Sequence, residues 1–164
     1  EGYPFKGFLY IGLMIDEGEP YVIEYNVRLG DPEAQVVLPR LKSDLFEIMI
    51  KTTMGEVDSM TLELDLRSCV GVVVASYGYP GSYQVGYPIH GLDEVCEHVL
   101  LFHSGTRLVR HPDSSSEVVS AGGRVLTVVA MGETLDLARR QAYLGVDGID
   151  FKGAFCRGDI ASFN

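Results

Sequence analysis

Three polar side chains occupy every second position of a short apolar segment near the N-terminus. They are Glu24, Asn26 and Arg28, in the run Y-V-I-E-Y-N-V-R. Side chains two residues apart on a strand project from one side, with Cα atoms roughly 6.5 Å apart. A carboxylate and an amide at that spacing can share a hard cation, and a neighbouring guanidinium can hold a phosphate. The pattern fits a nucleotide-phosphate site, and it also fits an exposed strand face whose charges are only solvated.

A turn follows this segment. Gly30 allows a backbone angle that other residues resist, and Asp31 before Pro32 has the order of a helix N-cap and a first helical residue. We therefore expect a short helix that begins at Pro32 and ends before Pro39. The free amides at its start would attract an anion.

A hairpin and two helices must position these residues. Residues 8–15 and 21–27 have strand patterns and are joined by the turn-forming residues 16–20, while Gly12 leaves room for a close neighbour. Ser43 and Asp44 predict the start of a second helix that runs to about Thr53. One face of that helix is expected to pack in a core, through Leu45, Ile48, Met49 and Thr52.

The rest of the chain is dominated by strand patterns. The segment 56–67 is acidic and weakly periodic, and it is the expected domain boundary. Beyond it, strands are expected at 69–76, 99–103, 106–109, 117–119 and 124–131, a helix capped by Thr134 at 135–144 with Leu135, Ala138 and Ala142 inward, and an extended piece at 149–155. Mostly antiparallel strands with few helices indicate an α+β fold.

Composition excludes several classes of protein. The 164 residues are 46% hydrophobic and 22% charged, which is typical of a globular protein, and no apolar run is long enough for a membrane helix. A net charge of −10 argues against a nucleic-acid partner and repels ATP, so a divalent cation must reverse the local field. Three widely spaced cysteines, Cys69, Cys96 and Cys156, indicate reduced thiols in a cytosolic protein.

Other residues with possible chemistry carry weaker signals. The four histidines have no spacing suited to a shared metal, and Ser104 beside His103 lacks the G-x-S-x-G context of a hydrolase nucleophile. The glycine-rich segments 103–106 and 122–125 are expected to be turns between strands, although their amides could also contact a phosphate. There is no Walker A lysine motif.

The sequence resembles one enzyme family along essentially its whole length. The run R-L-G-D-P-E-A-Q at 28–35, preceded by I-E-Y-N, resembles the signature of phosphoribosylamine–glycine ligase, an ATP-grasp enzyme of purine biosynthesis. Further similar segments lie at 7–10, 38–45, 78–81, 102–106 and 122–126. The resemblance concerns only the C-terminal part of that family's chain.

The resemblance implies an architecture and a site. Residues 1–62 would be the end of an ATP-grasp lobe, and residues 63–164 a small β-rich C-terminal domain of a cytoplasmic enzyme. Glu24 and Asn26 would bind the Mg²⁺ or Mn²⁺ that accompanies ATP. Arg28 would be catalytic, because it would offset charge on the γ-phosphoryl group as that group is transferred. Asp31 would face the amine-bearing substrate.

The implied reaction joins glycine to 5-phosphoribosylamine through glycyl phosphate, giving glycinamide ribonucleotide, ADP and phosphate. The missing N-terminal part of the same protein would supply the remaining walls of the site, so we expect residues upstream of Glu1 and no activity from this fragment alone. The sequence departs from the family at Ser104 and Ala161, where alanine and glycine are usual. Two alternatives remain: another ATP-grasp carboxylate–amine ligase, and a non-enzymatic interaction domain.

Overall fold

The computed structural model describes residues 2–162, which divide into two units between Asp65 and Leu66. The first unit contains the strands β1 (Tyr10–Asp16) and β2 (Glu19–Asn26), the helices α1 (Ala34–Val37) and α2 (Leu45–Met54), and the 3₁₀ helices Leu38–Arg40 and Val57–Ser59.

Strands β1 and β2 form the predicted antiparallel hairpin. Its turn contains Glu17 and Gly18 at φ values of 49° and 87°, and positive φ at both central residues matches the twist of the two strands. The first strand begins two residues later than predicted, at Tyr10, and the second ends at Asn26. Arg28 therefore lies beyond the strand and does not continue its alternation.

The register of the hairpin determines which side chains share a face. Tyr10 pairs with Asn26 and Gly12 pairs with Glu24, and the register then shifts at Ile23, the extra residue of a β-bulge. Directly opposed residues of an antiparallel pair project from the same face. Glu24 and Asn26 therefore lie on the same face of the hairpin as Tyr10. Because of the bulge at Ile23, the alternation of faces along the residues before Ile23 does not extend to Glu24 and Asn26.

The prediction for the turn after β2 is wrong in detail. Helix α1 begins at Ala34 instead of Pro32, and its N-cap is Glu33, which makes no capping hydrogen bond. Asp31 does not cap this helix: its Oδ1 accepts a hydrogen bond from Gln35 Nε2 at 3.0 Å. A helix of four residues is too short to offer the expected anion site at its start.

Helix α2 begins and ends as its sequence predicts. Asp44 is its N-cap and accepts a hydrogen bond from the backbone N–H of Glu47 at 2.9 Å, and Gly55 ends it at φ 79°. The expected core face is not formed, because none of the residues of α2 is buried and Met49 is 42% exposed. The residues that begin and end α2 are therefore as predicted, but its apolar side chains are not buried against other parts of the structure.

The segment before the division is tied to the first unit. Leu41 and Leu64 form an isolated antiparallel bridge. On either side of it, the backbone N–H of Lys42 donates to Glu63 O at 2.9 Å and that of Asp65 to Arg40 O at 2.6 Å. These hydrogen bonds explain why the units separate a few residues after the expected boundary.

Apolar side chains cover both faces of the hairpin without being buried. Among the described residues up to Asp65, only Gly12 and Gly30 are buried. The exposed apolar residues of the hairpin are Ile11, Leu13, Met14, Ile15, Tyr21, Val22, Ile23 and Tyr25. Exposed apolar residues grouped in this way are typical of a face that another protein surface covers.

The second unit contains six strands and one long helix. They are β3 (Ser68–Ser76), β4 (Val99–His103), β5 (Thr106–Arg110), β6 (Ser116–Ser120), β7 (Arg124–Gly132), α3 (Leu135–Asp147) and β8 (Ala154–Phe155). The five predicted strands and the helix are all present, with bounds that differ by at most a few residues. The predicted α+β class is confirmed, whereas the extended piece at 149–155 forms a strand only at its end.

The core of this unit surrounds its central strand. The sheet has the order β4–β7–β3–β8, and β7 pairs antiparallel with both β3 and β4. Buried β7 residues include Val125, Leu126, Val128, Val129 and Ala130. Strand β3 supplies Val70, Val72 and Val74 to the same core, since alternate β-branched residues pack well on a pleated surface. Strands β5 and β6 form a separate hairpin.

Helix α3 packs on this sheet through small residues. Thr134 caps it by accepting a hydrogen bond from the backbone N–H of Leu137 at 3.2 Å. Ala138, Ala142 and Gly145 are its buried residues, as predicted for the two alanines. A Cβ at Gly145 would lie 2.9 Å from side-chain carbons of both Val99 and Val128, so only glycine permits this approach.

Residues 157–160 of the C-terminal segment are hydrogen-bonded to two side chains of α3. Arg139 donates from Nε to Ile160 O at 2.9 Å and from Nη2 to Gly158 O at 2.8 Å. Tyr143 donates its hydroxyl hydrogen to Arg157 O at 2.6 Å. No helix within residues 2–162 combines the length and apolar character that a membrane span requires.

Candidate functional site

The aromatic ring of Tyr10 lies between two glycines at the open end of the hairpin. A Cβ at Gly12 would lie 3.6 Å from Tyr10 Cε1, and a Cβ at Gly30 would lie 3.1 Å from Tyr10 Cε2. The two edges of the ring therefore face two different glycines. Since both glycines are buried, the ring is held where a larger residue at either position would displace it.

Glu24 lies along the first edge of this ring. A Cβ at Gly12 would be 3.0 Å from Glu24 Cγ, so the glycine provides the space that the Glu24 side chain crosses. Asn26 is opposite Tyr10 in the ladder and is half-buried, whereas Glu24 is exposed. The structure thus brings the two predicted metal ligands to one face of one strand.

Glu33 lies along the second edge. Its Oε1 accepts a hydrogen bond from the Tyr10 hydroxyl at 3.2 Å. A Cβ at Gly30 would be 2.9 Å from Glu33 Cδ and would overlap Oε2, so the carboxylate fills the space that a side chain at position 30 would need. The sequence identified Glu33 only as a member of the R-L-G-D-P-E-A-Q run.

The surroundings of Tyr10 favour its neutral hydroxyl form. Desolvation raises the pKa of Tyr10, and the charge and hydrogen bond of Glu33 and the charge of Glu24 raise it further. A neutral phenol is a hydrogen-bond donor at neutral pH.

The other two predicted site residues follow β2 in the chain. Arg28 is exposed, and its Nη1 donates to Leu29 O at 2.8 Å, so its guanidinium is turned toward its own loop. Asp31 bonds to Gln35 as described above and has a further interaction within the structure. Neither residue belongs to the strand face that carries Glu24 and Asn26.

The donor atoms on this face suit a hard divalent cation. Glu24 provides a carboxylate and Asn26 an amide oxygen, and the Glu24 side chain crosses the space that Gly12 leaves. Mg²⁺ takes few protein oxygen ligands and keeps several water molecules. No group of three or more His, Cys, Asp or Glu residues within 2–162 is arranged to hold a metal, so the candidate site has only Glu24 and the amide of Asn26 as protein donors.

Sequence reasoning missed Tyr10 and underrated Glu33. The length of the turn alone would place position 10 opposite position 25, and the β-bulge at Ile23 is what brings Tyr10 opposite Asn26, so turn length could not identify this pair. Nothing local connects Glu33 to Tyr10, because their contact joins residues 23 positions apart.

The other candidates have structural explanations. His103 shares a hydrogen bond of 2.9 Å with the Thr106 hydroxyl, and His111 shares one of 2.8 Å with Glu117. A Cβ at Gly105 would lie 2.9 Å from the backbone nitrogen of Gly122, so glycine at this position lets two turns pack together.

Comparisons with known proteins give one consistent result. The family described as "Phosphoribosylglycinamide synthetase, C domain" matches residues 69–163, and its "ATP-grasp (A) domain" matches residues 1–34. The first match alone covers more than half of the chain.

Curated relatives and a solved structure agree with these matches. The chain is 47% identical to the phosphoribosylamine–glycine ligase of Chlorobaculum tepidum, over 99% of this chain and 37% of that protein. It is also 47% identical to the ligase of Escherichia coli O157:H7, over 98% of this chain and 37% of the relative. The crystal structure of the Thermotoga maritima ligase superposes with a TM-score of 0.78 at 36% identity, covering 97% of this chain and 38% of that one. The chain thus spans little more than a third of these proteins.

Proposed function

This chain belongs to the phosphoribosylglycinamide synthetase family, and from that premise we propose that it is the C-terminal portion of an ATP-dependent phosphoribosylamine–glycine ligase. In the proposed reaction the carboxylate of glycine attacks the γ-phosphorus of ATP, which releases ADP and gives glycyl phosphate. The amine nitrogen of 5-phosphoribosylamine then attacks the acyl carbon. Phosphate leaves, the amine loses a proton, and glycinamide ribonucleotide is formed.

The observation that carries this proposal is the position of Glu24 and Asn26 on one strand face beside Gly12. These two residues would hold Mg²⁺ or Mn²⁺. When bound, the cation neutralises charge on the ATP phosphates. Because the chain has a net charge of −10, this local reversal of sign is a requirement for binding a polyanion.

Arg28 and Asp31 would act from the loop that follows the strand. Arg28 is exposed, and its described hydrogen bond goes to the backbone carbonyl of the next residue, Leu29, so its guanidinium can turn to the γ-phosphoryl group. Asp31 would face the amine of 5-phosphoribosylamine and accept a hydrogen bond from it. The hydrogen bond that Asp31 accepts from Gln35 holds the Asp31 carboxylate in place within the turn.

The missing partner of this chain would be the N-terminal part of the same ligase. We assign residues 1–62 to the end of the ATP-grasp lobe and residues 63–164 to the β-rich C-terminal domain. The exposed apolar faces of the hairpin support this assignment, because an ATP-grasp lobe that is complete would cover them. We also propose a cytoplasmic location, in line with three cysteines that form no disulfide among the described residues.

A chimeric ligase tests the proposal. In it, the N-terminal portion of the Chlorobaculum tepidum ligase is joined to this chain in place of its own C-terminal portion. We expect ADP release that requires both glycine and 5-phosphoribosylamine, and none from the 164-residue chain alone, since an incomplete site cannot exclude water or orient glycine. Glu24→Gln should reduce kcat/KM by at least 100-fold through loss of a charged oxygen ligand, whereas His103→Ala should have little effect.

The same assay separates the alternatives. Turnover with other amines but not with 5-phosphoribosylamine would identify a different ATP-grasp ligase. A chimera that folds, still binds a partner through the hairpin and has no activity would favour a non-enzymatic interaction domain. The family matches and the named relatives favour the glycine ligase over both.

A further inference from the structure

We propose that Glu33 is a further residue of the cation site, held there by Tyr10, and that it acts on the cation through a bound water molecule instead of as a direct ligand. The proposal rests on the proposed function, since it concerns the same Mg²⁺ or Mn²⁺ that Glu24 and Asn26 would bind. It assigns Tyr10 the part of a positioning residue, because Tyr10 would reach the cation only through Glu33.

The first step of the argument is the bridging position of the Tyr10 ring. One edge of the ring borders Gly12 and the Glu24 side chain, and the other borders Gly30 and Glu33. Both carboxylates therefore lie around one aromatic ring. The Tyr10 hydroxyl donates to Glu33, and Tyr10 lies opposite Asn26 in the ladder, so this hydrogen bond connects Glu33 to a residue on the face that carries the proposed ligands.

The second step concerns how firmly Glu33 is held. Oε1 accepts the Tyr10 hydrogen bond, and Oε2 fills the space beside Gly30. A half-buried carboxylate fixed at both oxygens cannot swing freely to meet a cation. It retains lone pairs, however, since a carboxylate has about four acceptor directions and Tyr10 uses one.

The third step concerns direct coordination. Oε1 of Glu33 accepts the Tyr10 hydrogen bond and Oε2 lies against Gly30, so direct coordination would require the carboxylate to leave both positions. Mg²⁺ keeps several water molecules, and those waters donate strong hydrogen bonds to nearby carboxylates. A fixed carboxylate beside the ligands therefore raises the affinity for the hydrated cation.

The test measures Mn²⁺ binding by the chimeric ligase in the presence of a non-hydrolysable ATP analogue, with free Mn²⁺ quantified by electron paramagnetic resonance. Glu33→Gln removes the charge and Tyr10→Phe removes only the hydroxyl. We expect each to weaken Mn²⁺ binding about tenfold, the usual effect of losing a partner beyond the direct ligands. The double variant should bind no more weakly than Glu33→Gln, because Tyr10 acts through Glu33.

Matched controls come from the same hairpin. Tyr21→Phe and Glu19→Gln change exposed residues of β2 and should bind Mn²⁺ like the parent. Thermal unfolding of each variant identifies loss of fold, and Tyr10→Phe retains the ring that fills the space between the glycines. If Tyr10→Phe and Glu33→Gln match the controls while Glu24→Gln binds weakly, this inference is wrong and the proposed function stands. If Glu24→Gln also matches the controls, the proposed metal site itself is wrong.

Discussion

Tyr10 and Glu33 are joined by a hydrogen bond of 3.2 Å that connects the first strand of the hairpin to the turn after the second. The bond depends on Gly30, because a side chain there would overlap the Glu33 carboxylate. Gly30 does not have positive φ, so the expectation that it is needed for an unusual backbone angle is wrong, and glycine is required here for the close approach of Glu33 and Tyr10.

Gly30→Ala should therefore weaken the first unit. The added Cβ would lie 2.9 Å from Glu33 Cδ and 3.1 Å from Tyr10 Cε2, so the carboxylate or the ring must move. We expect a loss of about 1–3 kcal/mol in the free energy of unfolding, measured with urea on the chimeric ligase. Gly158→Ala is the control, since a Cβ at Gly158 would have no heavy atom within 4 Å. Equal stability of the two variants would contradict the steric argument.

Ala161→Gly should stabilise the second unit. Ala161 has φ 54°, a left-handed conformation that costs an L-residue about 1–2 kcal/mol, whereas glycine adopts it freely. Part of this benefit is lost because glycine has greater conformational entropy in the unfolded chain. We therefore expect a net increase of about 0.5 kcal/mol in the free energy of unfolding, measured by thermal unfolding. Ala121→Gly is the comparison, because Ala121 is exposed and does not have positive φ. A similar gain there would show that the backbone conformation is not the cause.

Thr134→Ala should destabilise α3. The Thr134 hydroxyl satisfies the N–H of Leu137 at the first turn of the helix that covers the sheet. Loss of an N-cap costs about 1 kcal/mol. Chemical denaturation should detect that loss, and Thr134→Ser should recover most of it, since serine keeps the accepting oxygen. Failure of serine to restore stability would indicate that the threonine methyl group matters more than the cap.

Acid should remove the contribution of the Arg157–Asp159 pair. A hydrogen bond from Arg157, Nε to Oδ1 at 2.9 Å, lowers the pKa of Asp159 below its ordinary value of 3.8. A lowered pKa stabilises the folded state above the unfolded value, and this is lost as the pH falls through the folded value. The melting temperature of Asp159→Asn should be below that of the parent at about pH 6 and equal to it well below pH 3.8. High salt should also narrow the difference, because both side chains are exposed.

Regular elements of the second unit could be predicted because their signals are local or periodic. The segment 69–76 is rich in valine, which is typical of a buried strand, and the helix after Thr134 has its own N-cap. Each element can therefore be recognised without knowledge of what it packs against. Strand β7 is as easy to recognise, although its central place in the sheet depends on partners far along the chain.

The turn after β2 shows where local reasoning stops. Asp31 and Pro32 have the sequence of a helix start, yet the helix begins at Ala34. The side chain of Glu33 is committed to Tyr10, a contact that no local pattern contains. Similarly, the apolar faces of α2 and the hairpin predicted burial, but the surfaces that would cover them are not part of this chain's described residues.

The order of the sheet has a consequence for synthesis on the ribosome. Strand β3 is the first strand of this sheet to be synthesised. The neighbouring strand β7, with which it pairs over most of its length, is synthesised only about 50 residues later. During that interval a valine-rich strand edge stays unpaired, which is when such segments associate with the wrong partner. Nascent chains of this unit should therefore depend on chaperones until Gly132 has left the exit tunnel.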